Sequence, residues 1–288
     1  MASRAASRSY AEKIHLISMP ALLAVVIGQA ALVVAFARVS GTAALAWGVA
    51  SSVFLIGFAL VRALRIVRRT QDNLFLQLES STQLLQQLKP RRPLPGTRGY
   101  RASPDFLLGL YRAILTRRPN TIVEASSGVS TLVCGYGLEQ LGNGGRVVSL
   151  EHHAEYAKAS ADEVELHGLG AVARVAHAPL VEHQIRGETW SWYTLSGIDL
   201  PERIDLLVVD GPPRRLQDQA RYPALPLLLE RLAPGAQVLL DDADRASETE
   251  VVARWLSEVA GSSVERVPSE KGMVVFRLPR GAHAPVTS

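Results

Sequence analysis

Residues 121–131 read TIVEASSGVST and run into the apolar, helix-like LVCGYGLEQL at 132–141. Three apolar or β-branched residues lead into Glu124, small residues fill 125–128, and Ser130 and Thr131 stand where a helix begins. The pattern is strand, tight turn, helix. Small residues let backbone N–H groups approach a ligand closely, and a helix N-terminus favours an anionic group on that ligand. A carboxylate at the strand end suits a ligand bearing positive charge or hydroxyls. Gly128 is the only glycine of the turn, so the nicotinamide fingerprint G-x-G-x-x-G is missing.

Strand-like and helix-like segments alternate from here to the C-terminus. Strands are predicted at 121–125, 146–151, 172–176, 204–210, 236–241, 263–267 and 272–278, and helices at 130–141, 154–167, 216–231 and 247–259. An earlier helix opens at Ser103-Pro104-Asp105, with proline at its first position, and runs to about Arg117. The continuously apolar runs IDLLVVD and AQVLLD imply a sheet buried on both faces, hence a doubly wound, Rossmann-like α/β domain of seven strands. The last two strands have no helix between them. Pro268 to Gly272 fits a hairpin that adds an antiparallel edge strand.

The 48% hydrophobic content and positive mean hydropathy concentrate at the N-terminus. Residues 14–37 and 43–61 are two apolar stretches separated by ARVSGT, each about long enough to cross a hydrocarbon core of roughly 30 Å. They are expected to form a transmembrane hairpin. A cleaved signal peptide is the rival reading; the second span and the lack of a small-residue cleavage pattern argue against it. Arg4, Arg8 and Lys13 precede the pair and Arg62, Arg65, Arg68 and Arg69 follow it, whereas the turn holds Arg38. By the positive-inside rule both ends face the cytoplasm, which places the protein in the cell membrane with a cytoplasmic C-terminal domain.

Apolar residues at 64, 67, 74, 78, 85 and 88, with Gln71 and Ser81 completing the steps, trace a heptad seam. Such a helical stalk would reach roughly 35 to 40 Å and offers a homodimer contact; the same stripe can instead pack on the following domain. KPRRPLPGTRG, 89–99, is the linker. The expected layout is hairpin 1–66, stalk and linker 67–99, α/β domain 100–280 and disordered tail 281–288. A net charge of +4 invites a nucleic-acid partner, but 27 of the 31 basic residues are Arg lying beside the apolar segments or scattered, and no aromatic-basic platform is present. None is expected. Cys134, the single cysteine, excludes an intrachain disulfide and a Cys-rich zinc site.

In open α/β sheets ligands lie beyond the carboxyl ends of the strands. Those ends carry Glu124, Glu151, His177, Asp210 and the pair Asp241 and Asp242. Four strands ending in carboxylates exceed what helix capping requires and suggest a ligand or metal site. Glu151 closes the second strand, where an acid binds a ribose diol, so an adenosine-type ligand is favoured.

The series VEASSGVST, VVSLEHHAEY, ARVAHAPL, IDLLVVDGPP and LAPGAQVLLDDADR resembles the class I S-adenosylmethionine-dependent methyltransferases, particularly the branch of catechol and caffeoyl-CoA O-methyltransferases, over roughly residues 100–278. That resemblance implies S-adenosylmethionine as cofactor. Glu124 and the turn Ala125, Ser126, Ser127 and Gly128 would border its methionine portion, Glu151 would hold the ribose, His152 would lie near the adenine, His177 and Ala178 would flank the adenine edge, and Asp210 would face the transferred methyl. Two departures stand out: Ser126 replaces the first turn glycine, and Asp210-Gly211-Pro212-Pro213-Arg214 replaces the Asp-Ala-Asp-Lys of metal-dependent relatives.

Asp241 and Asp242 resemble the Asp-Asn pair that, with a third ligand at Asp210, holds Mg²⁺ or another divalent cation in those relatives. The other reading is that one of the pair orders the Arg245 loop or caps the next helix, leaving Asp210 as general base. Trp190, Trp192 and Tyr193 line a substrate pocket or fill core. His152 and His153 read as solvated, Cys134 as packed, and Arg214, Arg215 and Arg221 as a basic surface helix start, with recognition of an acidic substrate as the alternative. The functional expectation is a membrane-anchored methyltransferase acting on an oxygen of a small-molecule or lipid-linked acceptor. The rival from another class is a catalytically silent S-adenosylmethionine- or nucleotide-binding membrane sensor or scaffold.

Overall fold

The computed structural model describes residues 41–97 and 101–281 together with positions 27, 28, 31, 34 and 35. Apart from those positions the expected first span at 14–37 lies outside the described residues, as do most of the link after it and residues 282–288. The chain divides between Leu76 and Gln77 into two units.

Helix α1, Gly41–Leu88, is 48 residues long and contributes to both. Span and stalk are therefore one helix. No glycine or proline occurs between Phe58 and Leu88, so nothing interrupts the backbone ladder there. Its first part exposes Trp47, Phe54, Phe58 and Leu60, and among the described residues α1 is the one helix long and apolar enough to cross a membrane. In the second unit Gln77, Ser80, Leu84 and Leu88 are buried, while Leu78 and Leu85 are exposed. Steps of three and four separate the buried positions, so they form one face. That face is not the heptad seam, of which only Leu88 is buried.

The rest of the second unit is a three-layer α/β domain. Helix α2 (Pro104–Arg117) precedes β1 (Thr121–Ala125), α3 (Val129–Leu141), β2 (Arg146–Glu151), α4 (Ala154–Leu166) and β3 (Ala173–His177). A two-stranded sheet of β4 (Leu180–Ile185) and β5 (Glu188–Tyr193) follows, then β6 (Ile204–Val209), α5 (Ala224–Leu228), β7 (Leu232–Leu240), α6 (Ala246–Glu258), β8 (Ser263–Val267) and β9 (Met273–Arg277). The main sheet has seven strands in the order β3-β2-β1-β6-β7-β9-β8. β1 pairs in parallel with both β2 and β6, and β9 is antiparallel to both neighbours.

Three expectations need correction. The antiparallel last strand β9 is not the edge; it lies between β7 and β8, and β8 is the edge. The helix expected at 216–231 is broken into a 3₁₀ turn at Arg214–Leu216, the five residues of α5 and a second 3₁₀ turn. Pro223 and Pro226 remove backbone donors from that stretch, which its apolar spacing conceals. The segment carrying Trp190, Trp192 and Tyr193, for which no strand is predicted, is the β4–β5 hairpin, turned by Arg186 and Gly187, both at positive φ (52° and 79°) as a two-residue hairpin turn demands.

One core face gathers Leu84, Leu88, α2 and α3 against Ile122, Val147, Leu206 and Leu239. The other joins the hairpin, α5 and α6 to Val123, Val148, Leu207 and Val238. Adjacent residues of one strand thus serve opposite cores, as period-two geometry requires.

Candidate functional site

The strand register brings the predicted acids to one edge. Asp210 N–H donates to Ala125 O (3.2 Å), Asp241 N–H to Val209 O (3.1 Å) and Ala178 N–H to Glu151 O (2.7 Å), so the ends of β1, β6, β7, β2 and β3 are fastened in a row. At its centre lies the turn after β1. Ser126 has φ 150° and Gly128 φ 132°, both in the region that glycine favours. A Cβ added at Gly128 would meet nothing within 4 Å, so the turn borders open space.

Glu124 does not face that space. It is fully buried, and its carboxylate accepts hydrogen bonds from Thr131 Oγ1 (2.7 Å) on α3, from Ser149 Oγ on β2 and, at 3.4 Å, from Ser126 Oγ. Thr131 Oγ1 also accepts from Gly128 N–H (3.1 Å), so Glu124 fastens the turn from below. Burial pushes its pKa up, tempered by the hydroxyls of Ser130, Ser149 and Thr131.

Glu151 stands at the tip of β2. Its Oε2 accepts from Ser127 Oγ (3.1 Å), and its Oε1 accepts from His153 N–H (2.9 Å) and lies 3.0 Å from His152 Nδ1. Burial alone would raise its pKa, but these donors outweigh it and hold the carboxyl below the ordinary range. His152 packs edge-on against Tyr193, centroids 6.0 Å apart. His177, paired with Glu151 across β2 and β3, is exposed, and Ala178 is buried. Cys134 is buried, and burial pushes its thiol well up, in keeping with an inert packed residue.

Asp210, Asp241 and Asp242 each offer a carboxylate oxygen within 4.8 Å of the others. Asp242 has φ 55°, a conformation that Asp and Asn tolerate and that turns its side chain back toward the strand tips. Arg221 lies among them and is buried. Its Nη2 donates to Asp242 Oδ2 (2.7 Å), Asp210 Oδ1 (3.0 Å) and Asp210 O (2.8 Å), and its Nη1 donates to Asp241 O (2.6 Å). Asp242 Oδ1 also faces Arg245 Nη2 at 2.9 Å and Lys271 Nζ at 3.9 Å. Asp242 therefore does order the Arg245 loop. Its pKa is lowered: burial pulls up, and Arg221, Arg245 and Lys271 together pull down harder. Burial raises Asp210 to about 6, moderated by Arg221. Asp241 is fully buried, neither side-chain oxygen has a hydrogen-bond partner, and burial beside Asp210 and Asp242 pushes its carboxyl well up. As a metal centre the trio is compromised, because two of the three ligands already share a guanidinium.

Sequence reasoning set Arg221 on a basic surface helix; the structure buries it. Arg214 and Arg215 do lie exposed on their short turn. Nothing in the run RRLQDQAR separates the buried arginine from the others, since its partners lie on other elements. Trp192 and Tyr193 are core residues, and a Cβ added at Gly211 would collide with the Tyr193 hydroxyl and approach Ala125 O to 3.1 Å. Tyr193 thus wedges between the tips of β2 and β6. Lys271 arrives from the β8–β9 turn, which is held to the β7 tip by Ala243 N–H to Gly272 O (2.9 Å) and Asp244 N–H to Lys271 O (3.1 Å).

Residues 125–243 match a family described as a methyltransferase domain. The matched segment runs from the end of β1 to the loop after β7. No curated protein matches the sequence. Similar solved structures include the O-methyltransferase of Bacillus cereus in complex with S-adenosylhomocysteine (16% identity, 69% of this chain and 90% of that one, TM-score 0.46). Others are the S-adenosylhomocysteine-bound methyltransferase of Podospora anserina (15%, 69% and 87%, 0.46) and the S-adenosylmethionine-bound O-methyltransferase of Streptomyces achromogenes involved in tomaymycin synthesis (15%, 70% and 89%, 0.45).

Proposed function

We propose that the chain is a membrane-anchored, S-adenosylmethionine-dependent O-methyltransferase whose catalytic domain faces the cytoplasm and whose acceptor is a small or lipid-linked molecule. The observation that carries the reading is Glu151: an ionised acid at the tip of β2, oriented by Ser127 and His153 N–H, beside a turn that opens onto free space at Gly128. This carboxylate fits a ribose diol, whose hydroxyls donate to an acid at the end of the second strand while small residues leave room at the first turn. When bound, S-adenosylmethionine supplies an electrophilic methyl on a sulfonium that is itself a good leaving group.

The chain's own residues then have defined tasks. Glu151 accepts from the ribose hydroxyls, and His152, held against Tyr193, flanks the adenine side together with His177 and Ala178. Asp210 retains 14% side-chain exposure, more than Asp242 at 4%, and its pKa near 6 suits a general base at neutral pH. It takes the proton of the acceptor hydroxyl at a carboxylate oxygen. Holding acceptor and donor together supplies the rest of the rate. The exposed apolar start of α1 and the flanking arginines support anchoring, and the exposed heptad seam supports pairing of two chains.

The silent sensor or scaffold keeps one observation in its favour: Ser126 holds a glycine-type φ of 150° at the turn that should cradle the cofactor. Calorimetric titration of the full chain in detergent micelles with S-adenosylmethionine and S-adenosylhomocysteine separates the readings. Micromolar binding with methyl transfer to an extract component upholds the enzyme, binding without transfer favours the sensor, and no binding by folded protein defeats both.

A further inference from the structure

We infer that Arg221 is the resident cation of the three-aspartate cluster, its guanidinium filling the position that a divalent ion would need. The argument begins with which oxygens remain. An ion shared by Asp210, Asp241 and Asp242 must draw one oxygen from each, since oxygen ligands satisfy Mg²⁺ or Mn²⁺ only by converging on one point. Asp210 Oδ1 and Asp242 Oδ2 converge instead on a single nitrogen, Arg221 Nη2, at 3.0 and 2.7 Å. The same nitrogen takes Asp210 O at 2.8 Å, and Nη1 takes Asp241 O at 2.6 Å. Four oxygens from the tips of β6 and β7 thus surround one planar cation.

Charge leads to the same conclusion. Asp210 and Asp242 already share Arg221, and Arg245 and Lys271 close on the far oxygen of Asp242 at 2.9 and 3.9 Å. A dication entering beside a buried guanidinium would be repelled in a medium that screens poorly. Arginine cannot leave by losing its proton, and its fork matches carboxylate geometry better than a point charge does. Arg221 is reached because the broken segment after β6 returns over the strand tips, where Tyr222 and Ala220 on either side are buried. Its role is positioning: it fixes Asp210 at the tip of β6 without a metal. The inference concerns the site proposed above, but its test does not depend on methyl transfer.

Mn²⁺ titration of the full chain in detergent, read by electron paramagnetic resonance, decides it. Wild-type protein should show no saturable binding at millimolar Mn²⁺. Arg221→Met, checked for folding by circular dichroism, should expose the three carboxylates and bind Mn²⁺ at least about tenfold more tightly, and adding Asp241→Asn should abolish that gain. A merely structural Arg221 would give no gain. Saturable wild-type binding that Asp241→Asn removes would overturn the inference, as would a folded Arg221→Met that acquires no ion. Should Arg221→Met fail to fold, the wild-type titration still decides. S-adenosylhomocysteine titration of the wild-type sample in EDTA tests the functional reading separately: unchanged affinity is expected, and failure to bind would defeat that reading without altering the Mn²⁺ result.

Discussion

Ser127 Oγ donates to Glu151 Oε2 at 3.1 Å and lies 2.9 Å from Ser160 Oγ, so the turn after β1 orients the acid at the tip of β2. Glu151→Ala is expected to lose hydrogen bonds to a charged group, about 1.5 to 3 kcal/mol of S-adenosylhomocysteine affinity, and Ser127→Ala about 1 kcal/mol through lost orientation. Calorimetry measures both. Unchanged affinity in Glu151→Ala would place the ribose elsewhere.

Ser126 adopts φ 150° without being glycine. Relief of that strain should outweigh the greater chain entropy of glycine, so Ser126→Gly is expected to stabilise the domain by about 1 kcal/mol. Urea denaturation followed by circular dichroism checks this, and a loss of stability would show that the 3.4 Å contact of Ser126 with Glu124 matters more.

Leu88 is buried in the α/β domain and Leu78 is exposed on another face of the same helix. Leu88→Ala should cost about 2 to 5 kcal/mol and Leu78→Ala less than about 0.5 kcal/mol. A fragment that starts after Pro90 loses Leu84 and Leu88 and should melt well below one that starts at Gln77. The seam is tested by oxidative cross-linking in membranes: Leu78→Cys should give a covalent dimer and Leu84→Cys should not. Equal behaviour would remove the stalk as a dimer contact.

Asp210 is raised from 3.8 to about 6 in the folded protein. Between those values the folded state holds a proton that the unfolded state has released, so this group stabilises fully at lower pH and its contribution is lost as pH rises through 6. Asp210→Asn should flatten that fall in stability. If Asp210 is the general base, kcat/KM should rise with pH through about 6 and then level; a flat profile would leave proximity as the whole of catalysis.

The exposed apolar stretch of α1 predicts that the full chain stays in the membrane fraction after carbonate washing. Release into the supernatant would withdraw the anchor.

Much of this protein was legible in its sequence because the deciding signals are local. Continuous apolar strands bounded by turns revealed β1, β2, β6 and the alternation that makes an α/β domain, and acids at strand ends could be located by counting. Period and composition cannot report long-range partners. The β4–β5 hairpin escaped notice because Arg186-Gly187 is an uncommon turn pair, and the segment after β6 passed for a helix because apolar spacing outweighed Pro223 and Pro226. Glu124 and Glu151 look alike as strand-ending acids, yet Glu124 sits one residue before the end of β1 and so turns into the core, where hydroxyls of α3 and β2 hold it. Arg221 was one arginine among several until folding carried it over the tips of β6 and β7. Sequence by itself determined the layers and the edge that carries the acids; tertiary structure decided which of them remain available there, because a buried charge is defined by the partners folding brings to it.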